Sequence, residues 1–153
     1  YPFTPHAMIS RTAEYALRAA VCLAESDGQP LTVSQIAEAS QVPVDYLAKV
    51  MRALGRAKLV HSRRGLNGGF TLAQDAGAMT ILDVINAVDP IERIERCPLG
   101  IAGHTKLCPL HRRLDDAIAM VETAFASSTV AEMVSDPRKR SLCKFPCLET
   151  LQL

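Results

Sequence analysis

The chain has 153 residues, of which 48% are hydrophobic and 22% are charged, a composition typical of one globular domain and not of a disordered chain. It contains no apolar run of about 18 residues, which excludes a membrane-spanning helix. A domain of this size folds without disulfides, so we expect its five cysteines to be reduced thiols in the cytoplasm, available for metal binding or redox sensing.

The basic side chains are concentrated in one part of the chain. Overall, 17 Lys and Arg are balanced by 16 Asp and Glu, but residues 43–70 hold six basic side chains and one carboxylate. Such a local excess is typical of a polyanion-binding surface, although an ordinary solvated helix face has the same charge.

Apolar residues at three- and four-residue steps predict three helices in the first third of the chain. The first covers residues 10–25 with Ser10 as its N-cap, and Thr32 caps a short second helix over residues 33–39. Pro43 suits the first turn of a third helix. The predicted buried stripe of this third helix consists of Leu47, Val50, Met51 and Leu54.

A short helix, a tight turn and a longer helix with a basic outer face are typical of a helix-turn-helix. The longer helix of this motif enters the major groove of DNA, where its first residues lie nearest the bases. We therefore predict DNA contacts from this motif at Thr32, Ser34, Asp45, Tyr46, Lys49 and Arg52.

The next segment has the pattern of a β-hairpin with a glycine-rich tip. Residues 59–63 alternate apolar and polar, residues 70–72 can pair with them, and residues 64–69 contain three glycines and an asparagine that permit positive φ. A phosphate-binding loop is disfavoured because β-forming residues, and not a helix, follow the glycines. The hairpin is typical of a wing in the minor groove, and its predicted DNA contacts are Arg63, Arg64, Asn67 and Gly68.

Two further helices are predicted in the second half. Thr80 caps a helix that extends to Val88 and stops at Asp89-Pro90, and Pro109 opens a longer one. The apolar stripe of the long helix consists of Leu110, Leu114, Ala117, Ile118, Val121 and Phe125. Such a stripe usually belongs to a core helix, but the small winged domain has little surface left to cover it, so we expect a dimer interface.

Cys97 and Cys108 flank a glycine-containing loop between these helices. Thiolates are soft ligands that suit iron–sulfur clusters or zinc, but two of them do not complete a site. A reversible disulfide and packed thiols remain alternatives. Cys22 is predicted to be a small buried residue, and Cys143 and Cys147 near the end of the chain carry no assigned role.

Several of these motifs occur together in one family. The segment from Met8 to Ala73, with Tyr-Ala-Leu-Arg at 15–18 and Ser-Arg-Arg-Gly-Leu-Asn-Gly-Gly-Phe at 62–70, resembles the Rrf-type (IscR/NsrR-like) family of bacterial winged-helix transcription regulators. The resemblance implies a homodimer that binds a near-palindromic operator in double-stranded DNA, often under the control of an iron–sulfur cluster.

The same resemblance implies a set of cluster ligands. Family members use three cysteines in the loop, two of which match Cys97 and Cys108, while the middle cysteine is absent here. His104 is the candidate substitute, and Glu14 lies where relatives place a carboxylate ligand from the other subunit. These four residues would hold a [2Fe-2S] cluster, with His111 as a reserve ligand.

The predicted fold class is mostly α with a small β-hairpin wing (α+β), in the form of a winged helix-turn-helix plus a long C-terminal dimerisation helix. The expected segments are a leader (1–7), the DNA-binding domain (8–89), a sensor loop (90–108), the dimerisation helix with a following short helix (109–135) and a tail (136–153). The expected function is homodimeric, sequence-specific transcriptional regulation. A winged-helix adaptor without DNA binding and a thiol-redox protein are the alternatives. No catalytic constellation, membrane partner or small-molecule substrate is evident.

Overall fold

The computed structural model describes residues 9–98 and 106–136, which form six helices and one two-stranded antiparallel sheet. The elements in chain order are α1 (Arg11–Glu25), α2 (Val33–Ser40), α3 (Val44–Arg56), β1 (Val60–Arg63), β2 (Gly69–Leu72), α4 (Ile81–Val88), α5 (Pro109–Ala126) and α6 (Val130–Ser135). The predicted leader, His104, Cys143 and Cys147 lie outside the described residues. None of the described helices is both long and apolar enough to cross a membrane.

Side-chain caps fix the starts of most of the helices. The hydroxyl of Ser10 accepts a hydrogen bond from the backbone N–H of Ala13, and Thr32 and Thr80 begin α2 and α4 with complete capping boxes. These three starts confirm the sequence-based predictions. Pro43 stands one residue earlier than predicted, at the N-cap of α3, so the helix itself begins at Val44.

The core is built around α1, which contacts α2, α3, α4 and α6. Its buried face consists mainly of Ala13, Ala16, Ala19, Ala20 and Leu23. Small alanine side chains let neighbouring helices approach closely. The predicted stripe of α3 is buried at all four positions, which turns the opposite, basic face of α3 to solvent.

The apolar residues of α4 are unevenly buried. The structure buries Val84 and Ile85 and leaves Ile81, Leu82 and Val88 partly exposed. The helix has an apolar residue at most of its eight positions, so its sequence alone does not determine its rotation. Contacts with α1 and α3 select the buried side.

The hairpin prediction is confirmed. Strands β1 and β2 pair antiparallel with Val60 opposite Leu72. Phe70 also exchanges backbone hydrogen bonds with Leu31, at N···O distances of 2.7 and 3.0 Å, and so ties the wing to the residue before the N-cap of α2. The wing is therefore held at a fixed position beside the helix-turn-helix.

Helix α5 is the least buried of the long helices. None of its 18 residues is buried, and α4 is the one described element with which it makes extensive contacts. The fold of the described chain thus leaves most of the surface of α5 uncovered.

Gly69 should be essential to the attachment of the wing. Its φ is +153°, and an added Cβ would lie 2.6 Å from the carbonyl oxygen of Leu31. We expect Gly69→Ala to lower the free energy of unfolding by about 1–3 kcal/mol in urea titrations. Gly55→Ala is the matched control, because nothing lies within 4 Å of its added Cβ. Alanine there should raise helix stability by about 0.5–1 kcal/mol. Equal effects of the two substitutions would contradict this role.

Candidate functional site

A basic surface runs across α3 and the wing. Lys49 and Arg52 are exposed on α3, and Arg63 and Arg64 are exposed at the end of β1 and just beyond it. Every salt bridge between described residues involves either Arg18 or Arg93, so none of these four cations is paired with a described carboxylate. The Nε of Arg52 donates to the carbonyl oxygen of Ala48 at 3.2 Å, which directs the side chain along the helix. Four cations are thus free to meet an external polyanion.

The predicted contact residues of the helix-turn-helix differ in their surroundings. Thr32, Ser34 and Asp45 are exposed, although the Thr32 hydroxyl is also engaged in capping α2. Tyr46 is only partly exposed. Its hydroxyl oxygen lies 2.5 Å from that of Thr12, and its ring packs edge-on against Tyr15 with centroids 5.3 Å apart. The structure therefore gives Tyr46 a role in fastening the start of α3 to α1.

The tip of the wing is a tight turn. The N–H of Gly68 donates to the carbonyl oxygen of Gly65 at 2.9 Å, and Asn67 adopts a φ of +62°. An added Cβ at Gly68 would lie 2.4 Å from the carbonyl oxygen of Arg63, which explains the glycine. The prediction missed Leu66, whose side chain is 97% exposed at this tip.

A second candidate site lies at the beginning of α5. The Nδ1 of His111 is 3.1 Å from the Sγ of Cys108 and 3.6 Å from the Sγ of Cys97. The three ligand atoms all lie within 4.8 Å of one another. We call these residues the Cys-Cys-His group. The signal in the sequence was the i, i+3 spacing of Cys108 and His111, which places both side chains on one face of the first helical turn.

Ion pairs hold the segment before Cys97 against α5. The Arg93 guanidinium binds both carboxylate oxygens of Asp115, at 2.7 and 2.6 Å, and reaches Glu122 at 3.2 Å. The backbone N–H of Ile94 also donates to Asp115 at 2.9 Å. The hydrogen bond from Arg93 lowers the pKa of Asp115 to about 2, so the carboxylate is ionised at every physiological pH. Segment and helix therefore stay together, with Cys97 beside the first turn of α5.

The helix start changes the acidity of Cys108. The pKa of the Cys108 thiol is lowered to about 7. The main cause is the backbone amide of His111, followed by the imidazole of the same residue, because both stabilise the thiolate. Cys108 nevertheless makes no side-chain capping hydrogen bond to α5. Burial has the opposite effect on Cys22, where it raises the pKa to about 11. The predicted packing role of Cys22 is consistent with this burial.

The other two predicted ligands are not joined to the group. Glu14 forms an i, i+4 salt bridge with Arg18 on α1, and within the described part of one chain it is not among the clustered ligand atoms. His104 lies outside the described residues. His111, the reserve ligand, is the residue that the structure places beside both sulfurs.

Comparison with known proteins identifies the family. The family model for Rrf2, described as an iron-dependent transcriptional regulator, matches residues 9–136. The chain belongs to the Rrf2 family. It is a transcriptional regulator with a winged-helix fold, as the motifs of its first half predicted.

Individual relatives match most of the chain. A protein of Aquifex aeolicus (strain VF5), named as an HTH-type transcriptional regulator, is 28% identical over 136 residues, which cover 86% of this chain and 94% of that protein. The structure of CymR (YrzC), the global cysteine regulator of B. subtilis, matches with a TM-score of 0.68 and 27% identity, over 84% of this chain and 97% of CymR. T. potens IscR has the same fold, with a TM-score of 0.72, 22% identity and coverage of 91% and 94%.

The acidity of Cys108 gives a pH-dependent prediction. In metal-free protein, its alkylation by iodoacetamide should increase with pH around a midpoint near 7, because the thiolate is the reactive form. Peptide mass spectrometry at a series of pH values would measure the rate, with buried Cys22 remaining unmodified. His111→Ala should raise the midpoint only partly, since the backbone amide is retained. A wild-type midpoint near the ordinary thiol value of about 8.5 would contradict the assignment.

Proposed function

We propose that this regulator is a homodimer that binds a near-palindromic DNA operator through α3 and the wing, and whose DNA affinity depends on the state of the Cys-Cys-His group. The observation that carries the proposal is the basic surface of α3 and the wing, whose cations are paired with no carboxylate of residues 9–98 and 106–136 and which the fold holds in one fixed arrangement. Cations on a helix that fits the major groove, and on the wing beside it, would supply the phosphate contacts that dominate DNA affinity. A DNA-binding role is also consistent with the expected cytoplasmic location.

Fewer residues would contact the bases and select the DNA sequence than would contact the phosphates. Asp45 lies exposed in the first turn of α3, where a recognition helix meets base edges, and Ser34 faces solvent on α2. Asn67 and Gly68 form a narrow tip on the wing that suits the minor groove, with Arg64 drawn to its negative potential. Thr32 and Tyr46 would act mainly by holding α2 and α3 in position.

The exposed surface of α5 supports the homodimer. Leu110, Leu114 and Met120 are 62%, 48% and 73% exposed, a substantial apolar surface for a single helix. A cavity of about 390 Å³, lined by residues that include Ile9, Ile85 and Ile118, opens beside α5. A second copy of α5 would cover both features. The resulting two-fold symmetry matches a palindromic operator.

The sensor would act through α5. Cys108 occupies the N-cap position of α5 and Cys97 lies beside it, so a change in ligation there would act on the proposed dimer helix and on the spacing of the two α3 helices. Such a change regulates transcription only if the two sensor states differ in DNA affinity. The resemblance would assign a [2Fe-2S] cluster to Cys97, Cys108, His104 and Glu14. Within the described residues, however, only the two cysteines of this set belong to the Cys-Cys-His group, since Glu14 is paired with Arg18.

The DNA interface can be tested by the salt dependence of binding. Operator affinity, measured by fluorescence anisotropy between 50 and 200 mM salt, should fall steeply as salt is added. Each of Lys49→Ala, Arg52→Ala, Arg63→Ala and Arg64→Ala should reduce the log–log slope by about 0.9 for every phosphate that the variant no longer neutralises. Arg112→Ala is the charge-matched control, because Arg112 is exposed on the side of α5 that faces away from Leu110 and Leu114. Slopes that stay unchanged in all four variants, or fall equally in the control, would contradict the interface.

A further inference from the structure

We propose that Cys97, Cys108 and His111 bind one divalent metal ion of the Zn²⁺ or Fe²⁺ class, and do not share the two irons of a [2Fe-2S] cluster. The proposal deepens the proposed sensor role, and it rests on that role only for its effect on DNA affinity. Its basis is the geometry of the three ligand atoms, together with the way in which each is held.

The separations of the ligand atoms fit a single tetrahedral centre. With metal–sulfur bonds of about 2.3 Å and metal–nitrogen bonds of about 2.0–2.1 Å, tetrahedral angles place sulfur and nitrogen about 3.6 Å apart. The distance from Cys97 Sγ to His111 Nδ1 is 3.6 Å, and that from Cys108 Sγ is 3.1 Å. A small movement of the Cys108 side chain would therefore complete three corners of the tetrahedron.

The same separations do not suit a two-iron cluster. A [2Fe-2S] cluster takes two protein ligands at each iron, and where histidines take part in Rieske centres, both lie on one iron and both cysteines on the other. Ligands on opposite irons are held apart by the bridging sulfides. Here the imidazole lies beside both sulfurs, and all three ligand atoms lie within 4.8 Å of one another. The described residues thus converge on one point.

The donor chemistry is also balanced for a divalent ion. Two thiolates offset the charge of the ion, the neutral imidazole adds a third ligand through Nδ1, and the two thiol protons are released to solvent on binding. A fourth tetrahedral position stays open for water or for a small exogenous ligand, as in zinc sites with three protein ligands. An open position would let the site respond to a ligand as well as to the metal.

The protein holds the donors in position without the metal. Cys108 and His111 belong to the N-cap and first turn of α5, and the ion pair of Arg93 with Asp115 fixes the segment that leads to Cys97. A site built on such a fixed frame needs little rearrangement to take up an ion.

Cobalt is a direct probe of this site, because Co²⁺ occupies tetrahedral thiolate sites and its absorption reports them. Titration of the metal-free, full-length protein should give one Co²⁺ per chain, with sulfur-to-cobalt charge-transfer bands and the intense visible bands of a tetrahedral ion. Zn²⁺ should displace it. Loss of a partner that only hydrogen-bonds to a metal ligand weakens metal binding by about 10–100-fold. His111→Ala and Cys97→Ser remove ligands themselves, so each should weaken Co²⁺ binding by more than this. His61→Ala, at an exposed position on β1, is the matched control and should bind as the wild type does.

Two outcomes would overturn the proposal. One is wild-type protein that binds no Co²⁺ with thiolate charge transfer. The other is anaerobic reconstitution of the wild-type protein to two irons and two sulfides per chain, with a visible spectrum that changes or is lost in Cys97→Ser or His111→Ala, since these residues would then share a [2Fe-2S] cluster. Circular dichroism would establish that each variant is folded. The titration contains no DNA, so its failure is distinct from failure of the proposed operator binding.

Discussion

The rotation of α3 is fixed by the packing of its apolar face against the core. Each of the four side chains on this face is at most 1% exposed: Leu47, Val50, Met51 and Leu54. Burial of such side chains contributes about 1.5–3 kcal/mol each, whereas a like-charged i, i+4 pair on a helix surface costs only about 0.2–0.5 kcal/mol. The apolar face therefore decides the orientation, and the charges follow on the other side. Lys49 and Arg52 face solvent because the opposite side of their helix is indispensable to the core.

The wing extends this basic surface, and backbone hydrogen bonds hold it in place beside α2. Phe70 and Leu31 share two hydrogen bonds, so the hairpin and the start of α2 move as one unit. Gly69 permits that contact because a side chain there would collide with Leu31. A rigid attachment matters for recognition, since a helix and a wing that moved independently would lose conformational entropy on binding DNA. The packing of α3 against the core and the hydrogen bonds between Phe70 and Leu31 thus establish the proposed DNA-binding surface.

Much of this architecture could be predicted from the sequence, because its determinants are local. Ser10, Thr32 and Thr80 start helices through contacts within three residues, and the stripe of α3 follows from helical periodicity alone. The partner of Tyr46 could not be predicted, since Thr12 lies 34 residues away in the chain. The third member of the Cys-Cys-His group was similarly underestimated. His111 meets Cys97 because Arg93 and Asp115 bring two distant segments together, a long-range contact without a local pattern.

The central claim is that two copies of α3 and the wing bind DNA as a symmetric pair. Hydroxyl-radical footprinting of the purified protein, on a fragment enriched from its own genomic DNA, tests this most directly. We expect two protected half-sites related by two-fold symmetry, with centres about 34–36 Å or a multiple of this distance apart, one helical turn or more on the same face of the duplex. A single asymmetric footprint, or no protection of any enriched fragment, would contradict the claim.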